Sequence, residues 1–555
     1  MPYAKNYLRV NVPKHSGFDK SHRNSGTLTC GTLTPLLCDE LIPASRVSLK
    51  VNLAAQLPPL ASDTYMNLKL KAEAFFCPFR LLSKSFEDFF CDDNPKEVFV
   101  NGSPLTDVVP RMPFMDKNSP YASLGVGSLA DYLGLKDSQV SGYTDINLAA
   151  FEAYHLIWQE WYRNPRVQKP AFVPQTGGAP AKVKCMPFTY FGTTVSGNAT
   201  QKSILSPALS ADIASDWHLY DGVSLFALRQ RNFGLDYFTG ARVDAQQGPA
   251  VSLSLPVSGQ VSGGTNVSGT GSFTIAALRA ANSLQQFRER NNLPSPRLVD
   301  QVKARYGATL SDGVAQRPIC IGSATYDVDS TGVNQTSADP SGAGSSTSNP
   351  FSAVAAQYGR AYASGSDFLI EDFTANEPGL LMVLVSLVPE VTYYSGLDRM
   401  FTRYTSDGSI VEMANPLLQN MGDQPIYQHE IAAASGSYYD HVFGYQDRFG
   451  EFMFKPNVVH GEMRFGRSLQ SFVVQRGFSG ATPLDLSSAF LEIPTNYLDQ
   501  CFAVAGEVSG LSAWYDSILE YHVSMPLAEF SIPSLQDPAY EHGHSISIRR
   551  NGQIF

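Results

Sequence analysis

His542-Gly-His544, an aromatic cluster around Trp158, and two groups of spaced basic residues are the parts of this chain whose types and spacing can do chemistry. In a strand, His542 and His544 would turn both imidazoles to one side, as a metal site requires. No third ligand follows at recognisable spacing, and an exposed polar turn is the simpler reading. His155 lies among Tyr154, Trp158, Trp161 and Tyr162. A histidine there can act as a general base, and the rings can stack on nucleobases. The helical spacing of these residues favours packing, in the core or against another subunit. Walker A, HExxH, GxSxG and GxGxxG patterns are missing in the contexts that would give them meaning. The 51 Asp and Glu residues could include a glycosidase pair, but nothing in the sequence selects one. No cofactor and no catalytic residue is therefore assigned.

The basic residues have a clearer use. Lys5, Arg9, Lys14, Lys20 and Arg23 face a single acid, Asp19, within the first 24 residues, and Pro2 and Pro13 disfavour a regular helix there. This reads as an extended basic arm. With Tyr3 and Tyr7 it suits phosphate contact plus stacking, and it equally suits a solvated terminus. Arg279, Arg288 and Arg290 belong to a second basic group, completed by Arg297, Lys303 and Arg305 against Glu289 and Asp300. It carries the same two readings.

The elements that position these residues are mostly strands. Val47, Leu49, Val51 and Leu53 alternate with polar residues, as do Met66 to Phe76, and Pro58-Pro59 lies between. That predicts two strands of an antiparallel framework. Residues 145–163 change to helical spacing, with Thr144 as a possible cap and Pro165 as the stop. Helices are also expected near 275–290 and 296–306, the second opened by Ser295-Pro296 and ended by Gly307. Residues 245–273 are a charge-free Ser/Gly/Thr loop, and 325–350 a second low-complexity loop, either mobile or ordered by neighbours. Leu380 to Val388 reads as a strand buried on both faces. Phe452 and Phe454, and then Leu519, Tyr521 and Val523, alternate as strands. The expected organisation is one mainly β domain over 1–555. It has an arm at 1–24, mostly insertions at 83–375, returning core strands at 376–530 and a tail at 531–555.

Composition narrows the function. Hydrophobic residues make up 43% and aromatics 11%, so a large core can form, but charged residues reach only 17%, against about 25% on average. Part of the outside should then be buried in aromatic-rich subunit contacts. A net charge of −10 argues against a monomeric nucleic-acid binder. Seven scattered cysteines without a CxxC pair suit a reducing compartment. No signal peptide is visible, and the most apolar stretch, Gly379 to Pro389, is about half a membrane span, so no membrane insertion is expected.

Segments in order along the whole chain resemble the major capsid protein of microviruses, the small single-stranded DNA phages of gokushovirus type. They are Phe18-Asp19-Lys20-Ser21-His22, the stretch from Pro43, Phe75 to Leu82, and Tyr154 to Arg163 with Trp158, Trp161 and Tyr162. Phe233 to Thr239 follows with Asp236, Tyr237 and Phe238, then Gln316-Arg317-Pro318 and Tyr393 to Met400. Gly422 to Pro425 with Gln424, Phe443-Gly444-Tyr445-Gln446-Asp447-Arg448-Phe449, Phe454-Lys455-Pro456 and Ser531-Ile532-Pro533 complete the series. Ala245 to Gly248 departs from the family's usual run. The resemblance implies an eight-stranded antiparallel jelly roll with long insertions. It implies a T=1 icosahedral shell around circular single-stranded DNA, formed in the bacterial host cytoplasm, and a virion location. Its partners would be copies of the chain, the genome, a small basic DNA-binding phage protein and a host surface receptor met by outer loops including 325–350. The competing readings are a β-rich glycoside hydrolase, with paired carboxyls in a cleft, and a carbohydrate-binding adhesin, monomeric or trimeric without enclosed DNA.

Overall fold

The computed structural model describes residues 15–82 (without 66), 125–135, 145–172, 219, 221–245, 275–334, 357–402, 422–434, 438–503 and 511–527. It also describes short strands at 98–100, 103–105, 114–116, 194–196 and 199–201, and the single residues 86, 90 and 419. His542, His544, Lys5, Arg9, Lys14, the 531–555 tail, and the 245–273 and 335–350 loops beyond Ala245 lie outside these residues, as do Cys91 and Cys185. The five described cysteines are free thiols. No helix among the described residues is long and apolar enough to cross a membrane.

The main strands are β1 (Ser16–Asp19), β2 (His22–Leu28), β3 (Thr34–Leu41), β4 (Arg46–Gln56), β5 (Leu68–Pro78), β6 (Ile319–Asn334), β7 (Gln357–Thr374), β8 (Gly379–Pro389), β9 (Gln424–Tyr427), β10 (Val442–Gln446) and β11 (Ala513–Met525). Nine of them form one sheet in the order β1–β11–β4–β7–β6–β5–β8–β3, with β2 also on β11. Every pairing in it is antiparallel. The sheet curls where β6 changes partner: Ile319–Asp327 pair with β5, and Val328–Asn334 with β7.

The curl folds the sheet onto itself. Leu49, Val51 and Leu53 of β4 and Leu519, Tyr521 and Val523 of β11 share one core with Leu70, Ala72 and Ala74 of β5 and Leu381, Val383 and Val385 of β8. Two sheet halves facing across a common core make a jelly-roll-like, mainly β fold. The opposite face of β5 and β8 is also covered. Phe75, Cys77, Leu380, Met382 and Leu384 pack on Phe151, Tyr154 and Ile157 of helix α1 (Ala149–Ile157). β8 is thus buried on both faces, which is why its sequence is a continuous apolar run. β11 has one covered face and alternates strictly.

β4 and β5 are strands of one antiparallel sheet, as expected, and β7 and β6 lie between them. Several expectations are corrected. The 83–375 segment is not mostly insertion at its end, since β6 and β7 are central strands; β6 also takes residues 325–334 from the expected loop. Their inward side chains include small residues such as Ala324, Ala361 and Ala363, which give a weak alternation signal. Residues 145–147 are a short strand, and α1 starts at Ala149, whose N–H is held by Asn147 Oδ1 at 2.9 Å. A π turn, Trp158–Tyr162, ends that helix. Phe452 and Met453 sit in a helical turn after Phe449, whose φ is +65°, so no strand forms there. Helix α2 runs Ile275–Asn292, and α3 runs Leu298–Tyr306 with Arg297 as its cap and Gly307 in the left-handed region.

The curl demands close backbone approach at Gly322. A Cβ there would lie 1.8 Å from the Leu369 carbonyl oxygen of β7. Gly322→Ala should therefore cost about 1–3 kcal/mol or more, the range for overpacking. Gly125→Ala, with nothing within 4 Å of the added carbon, should stay within about 0.5 kcal/mol. Urea unfolding midpoints compare the two; equal midpoints would refute the close-approach argument.

Candidate functional site

The N-terminal basic residues that the structure describes are already paired. Lys20 Nζ donates to Asp39 at 2.6 Å, and Asp39 also accepts from the Tyr521 hydroxyl at 2.8 Å. Arg23 holds Asp516 with two nitrogens, at 2.7 and 2.5 Å. Hydrogen bonds from Arg23 and Ser25 draw the Asp516 carboxyl down to about 2. Phe18 packs partly on the core, and Asp19 Oδ1 accepts from the N–H and hydroxyl of Ser21. Ser21 Oγ in turn accepts from Tyr521 N at 3.1 Å, and His22 Nδ1 sits 2.9 Å from the Lys20 carbonyl. Phe18–His22 is thus a fastening of the chain's start along β11. Within the extended arm expected over 1–24, residues 16–19 and 22–24 are strands of the sheet.

The aromatic helix spends its rings internally. The buried Tyr154 hydroxyl donates to Leu33 O and accepts from Arg229 N, both at 2.8 Å. Arg229 Nε donates to His155 Nδ1 at 2.8 Å, so the imidazole proton sits on Nε2 and is given to Leu225 O. Burial, with Arg229 beside it, holds His155 well below its ordinary value, so it stays neutral. Arg229 also pairs with Asp221 at 2.5 Å and lies 4.3 Å from the Trp158 ring centre. Trp158 donates to Gln230 O, and Trp161 to Pro318 O, each at 3.0 Å. Arg317 covers Trp161 at 4.5 Å. Tyr162 donates to Glu73, which also pairs with Arg231 at 2.6 Å, and Arg163 donates to Gln168 O at 2.9 Å. These rings pack; their faces are covered by arginines of the same chain.

The remaining motifs tie down the segment after β8. Asp236 Oδ1 accepts from Phe238 N, Thr239 N and Thr239 Oγ1, and its other oxygen accepts from Tyr393 OH at 2.9 Å. Phe238 meets the Tyr393 ring edge-on at 5.0 Å. Gln424, at the start of β9 beside Pro425, donates to Glu451 at 2.5 Å and accepts from Phe449 N at 2.8 Å. Gln446 of β10 donates to Tyr237 O at 3.1 Å, and Arg448 to Gly422 O at 3.3 Å. Phe443 packs on Phe490 at 4.7 Å, Gly444 lets the Arg242 backbone approach, and Tyr445 exchanges backbone hydrogen bonds with Arg242. None of these was legible as a packing partner from spacing alone.

Two open surfaces stand out among the described residues. In the α2–α3 hairpin, Arg279 and Arg290 are exposed and Arg288 is half-buried, and α3 buries none of its residues. The base of the hairpin is clamped: Arg166 donates to Asn291 O and Pro294 O, and Arg297 to Gln159 O and Arg163 O. The other surface is a cavity of about 450 Å³ between Tyr237, Tyr393–Phe401 and Phe454–Arg464. It contains the Glu430 carboxyl, pushed up by burial to about 7 despite Arg399. Glu430 caps a turn by accepting from Tyr427 N at 3.0 Å, and Arg399 lies 3.6 Å away. Its geometry is that of a structural cap.

Residues 9–535 match the family described as capsid protein (F protein). The chain belongs to that family. It is 26% identical to capsid protein VP1 of Chlamydia phage 1, over 94% of this chain and 96% of that protein. It is 24% identical to capsid protein VP1 of Bdellovibrio phage phiMH2K, covering 94% and 95%, and 22% identical to that of Spiroplasma virus 4, covering 93% and 94%. Membership of a capsid family makes this a structural, self-associating virion protein. The internally satisfied motifs suit that role, since they build a rigid subunit rather than a cleft.

Removing Arg229 would strand buried Asp221 and His155, so Arg229→Ala should cost about 3–5 kcal/mol; a melting temperature within 2 °C or so of wild type would contradict this. Glu430 gives a pH prediction. Its ordinary value is 4.5 and its folded value about 7, so the unfolded chain gives up the proton first as pH rises. Stability should therefore fall between about pH 4.5 and 7. Glu430→Gln keeps the acceptor for Tyr427 N and should flatten that part of the profile; an unchanged profile would assign the fall elsewhere.

Proposed function

We propose that this capsid-family chain closes into a T=1 icosahedral shell around a circular single-stranded DNA genome. The observation that carries the reading is full-length family membership in a chain whose motifs are consumed in building the subunit. Phosphates would be met by Lys5, Arg9 and Lys14 and by Arg279, Arg288 and Arg290 on α2. Lys20 and Arg23 fit the role less well, because Asp39 and Asp516 already neutralise them. An acidic coat of net charge −10 leaves most genome charge to a small basic DNA-binding partner. Of the expected 325–350 loop, residues 335–350, which follow the end of β6 at Asn334, would contact a host receptor together with other outer loops. Assembly would take place in the bacterial host cytoplasm.

Negative-stain microscopy of nuclease-treated particles tests the reading. Uniform isometric shells that protect DNA are expected; a discrete monomer or trimer under all conditions would contradict it. Within such particles, replacing Lys5, Arg9 and Lys14 with Gln should lower DNA retention and its salt sensitivity. Unchanged retention would remove the arm from genome contact.

A further inference from the structure

The hairpin and the cavity are opposite in shape and both present apolar surface. On the hairpin, Ile275 is 70% exposed, Leu298 63% and Tyr306 78%. Helices gain most of their stability in proteins by burying a face, and no residue of α3 is fully buried within its own chain. Around the cavity, Met400 is 55% exposed, Phe401 61%, Phe454 51%, Val458 50% and Phe465 55%. Phe465 joins this rim through Tyr394, whose ring it stacks on at 5.5 Å and which lines the cavity. Five large side chains about half exposed present on the order of 500 Å² of apolar surface. That is near the largest patch an ordinary monomer shows. With the cavity walls it approaches the roughly 800 Å² per partner of a specific interface.

Among the described residues, the hairpin does not fill the cavity of its own chain. The residues lining the cavity all fall between Tyr237 and Arg464, and none belongs to the hairpin. The base of the hairpin is held in place by Arg166 and Arg297. One copy therefore offers a knob and an empty socket at different places, the requirement for a head-to-tail contact that propagates and can close into rings.

We infer that the α2–α3 hairpin of a second copy of this chain enters the rim formed by Met400, Phe401, Phe454, Val458 and Phe465, as a heterologous subunit contact. This rests on the self-assembly reading above. DNA is the poorer occupant of the socket. Its charged groups are engaged, Lys455 with Asp398 at 2.7 Å and Arg399 with Glu430 and the Pro425 carbonyl, and the rim itself is apolar. Docking through Leu298 and Tyr306 of α3 leaves Arg279 and Arg290 of α2 for phosphate.

The test uses two full-length variants: Leu298→Asp with Tyr306→Asp in the knob, and Met400→Asp with Phe401→Asp in the socket. Far-UV circular dichroism and melting establish that each folds; Tyr306→Ser and Phe401→Ser serve if either does not. Each alone should need at least about tenfold more protein to assemble, a loss equivalent to about 1.4 kcal/mol per contact. Mixed, they retain one intact knob and one intact socket. Sedimentation should then show a 1:1 complex that grows no further through this contact. Wild-type assembly with both variants assembling equally well, or a mixture that stays monomeric, overturns the contact and leaves the capsid reading intact. A wild-type chain that never assembles removes both.

Discussion

The pairing of β11 between the N-terminal strands and β4 is the constraint on which the rest of the structure depends. It sets Leu28 against Ala513 and Asp19 against His522, residues almost a whole chain apart. Everything between is thereby a closed excursion from one sheet. Loop-closure entropy grows only slowly with length, so the fold tolerates long insertions between β5 and β6 and between β8 and β11. The cost falls on kinetics, because such distant pairings form late and slowly. The Asp19–Ser21 fastening and the Arg23–Asp516 and Lys20–Asp39 pairs hold that seam on its open edge.

Scarcity of charge is the second constraint, and the structure shows where the charges go. Arg229 covers Trp158, Arg317 covers Trp161, and Arg476 sits among Phe233, Phe478 and Phe490 at 4.2 to 4.7 Å. Arg231 and Arg242 are held by Glu73, Asp423 and Asp447. These cations stabilise the inside of the subunit and contribute little to its surface. Surfaces poor in charge and rich in Phe, Met and Leu follow, and they suit association by apolar burial more than by ion pairing.

Much of the fold could be read from the sequence where one face of an element meets water. β4 and β11 alternate plainly, and the doubly buried β8 shows as an apolar run. Strand order could not be read, because β4 and β5 alternate alike whether or not they are neighbours. β6 and β7 escaped notice since their inward residues are partly alanine and glycine, whose burial leaves little trace in hydropathy. The 450–453 turn was hidden by an accidental alternation of Phe452 and Phe454, while the left-handed Phe449 decides the backbone there. At the candidate site, Trp158, Trp161 and Tyr162 carried their packing role in their helical spacing. Their arginine partners, 69 to 156 residues away in sequence, carried no local signal, and neither did the cavity, which joins Tyr237 to Arg464.

The central claim is that charge-poor apolar surfaces drive this chain to associate with itself. Its most direct test is the salt dependence of assembly, followed by light scattering from about 0.05 to 0.5 M salt, a range over which exposed charges become screened. The account predicts a critical concentration that stays level or falls as salt rises. A critical concentration that climbs tenfold or more across the same range would show that ion pairs hold the subunits together, and would contradict it.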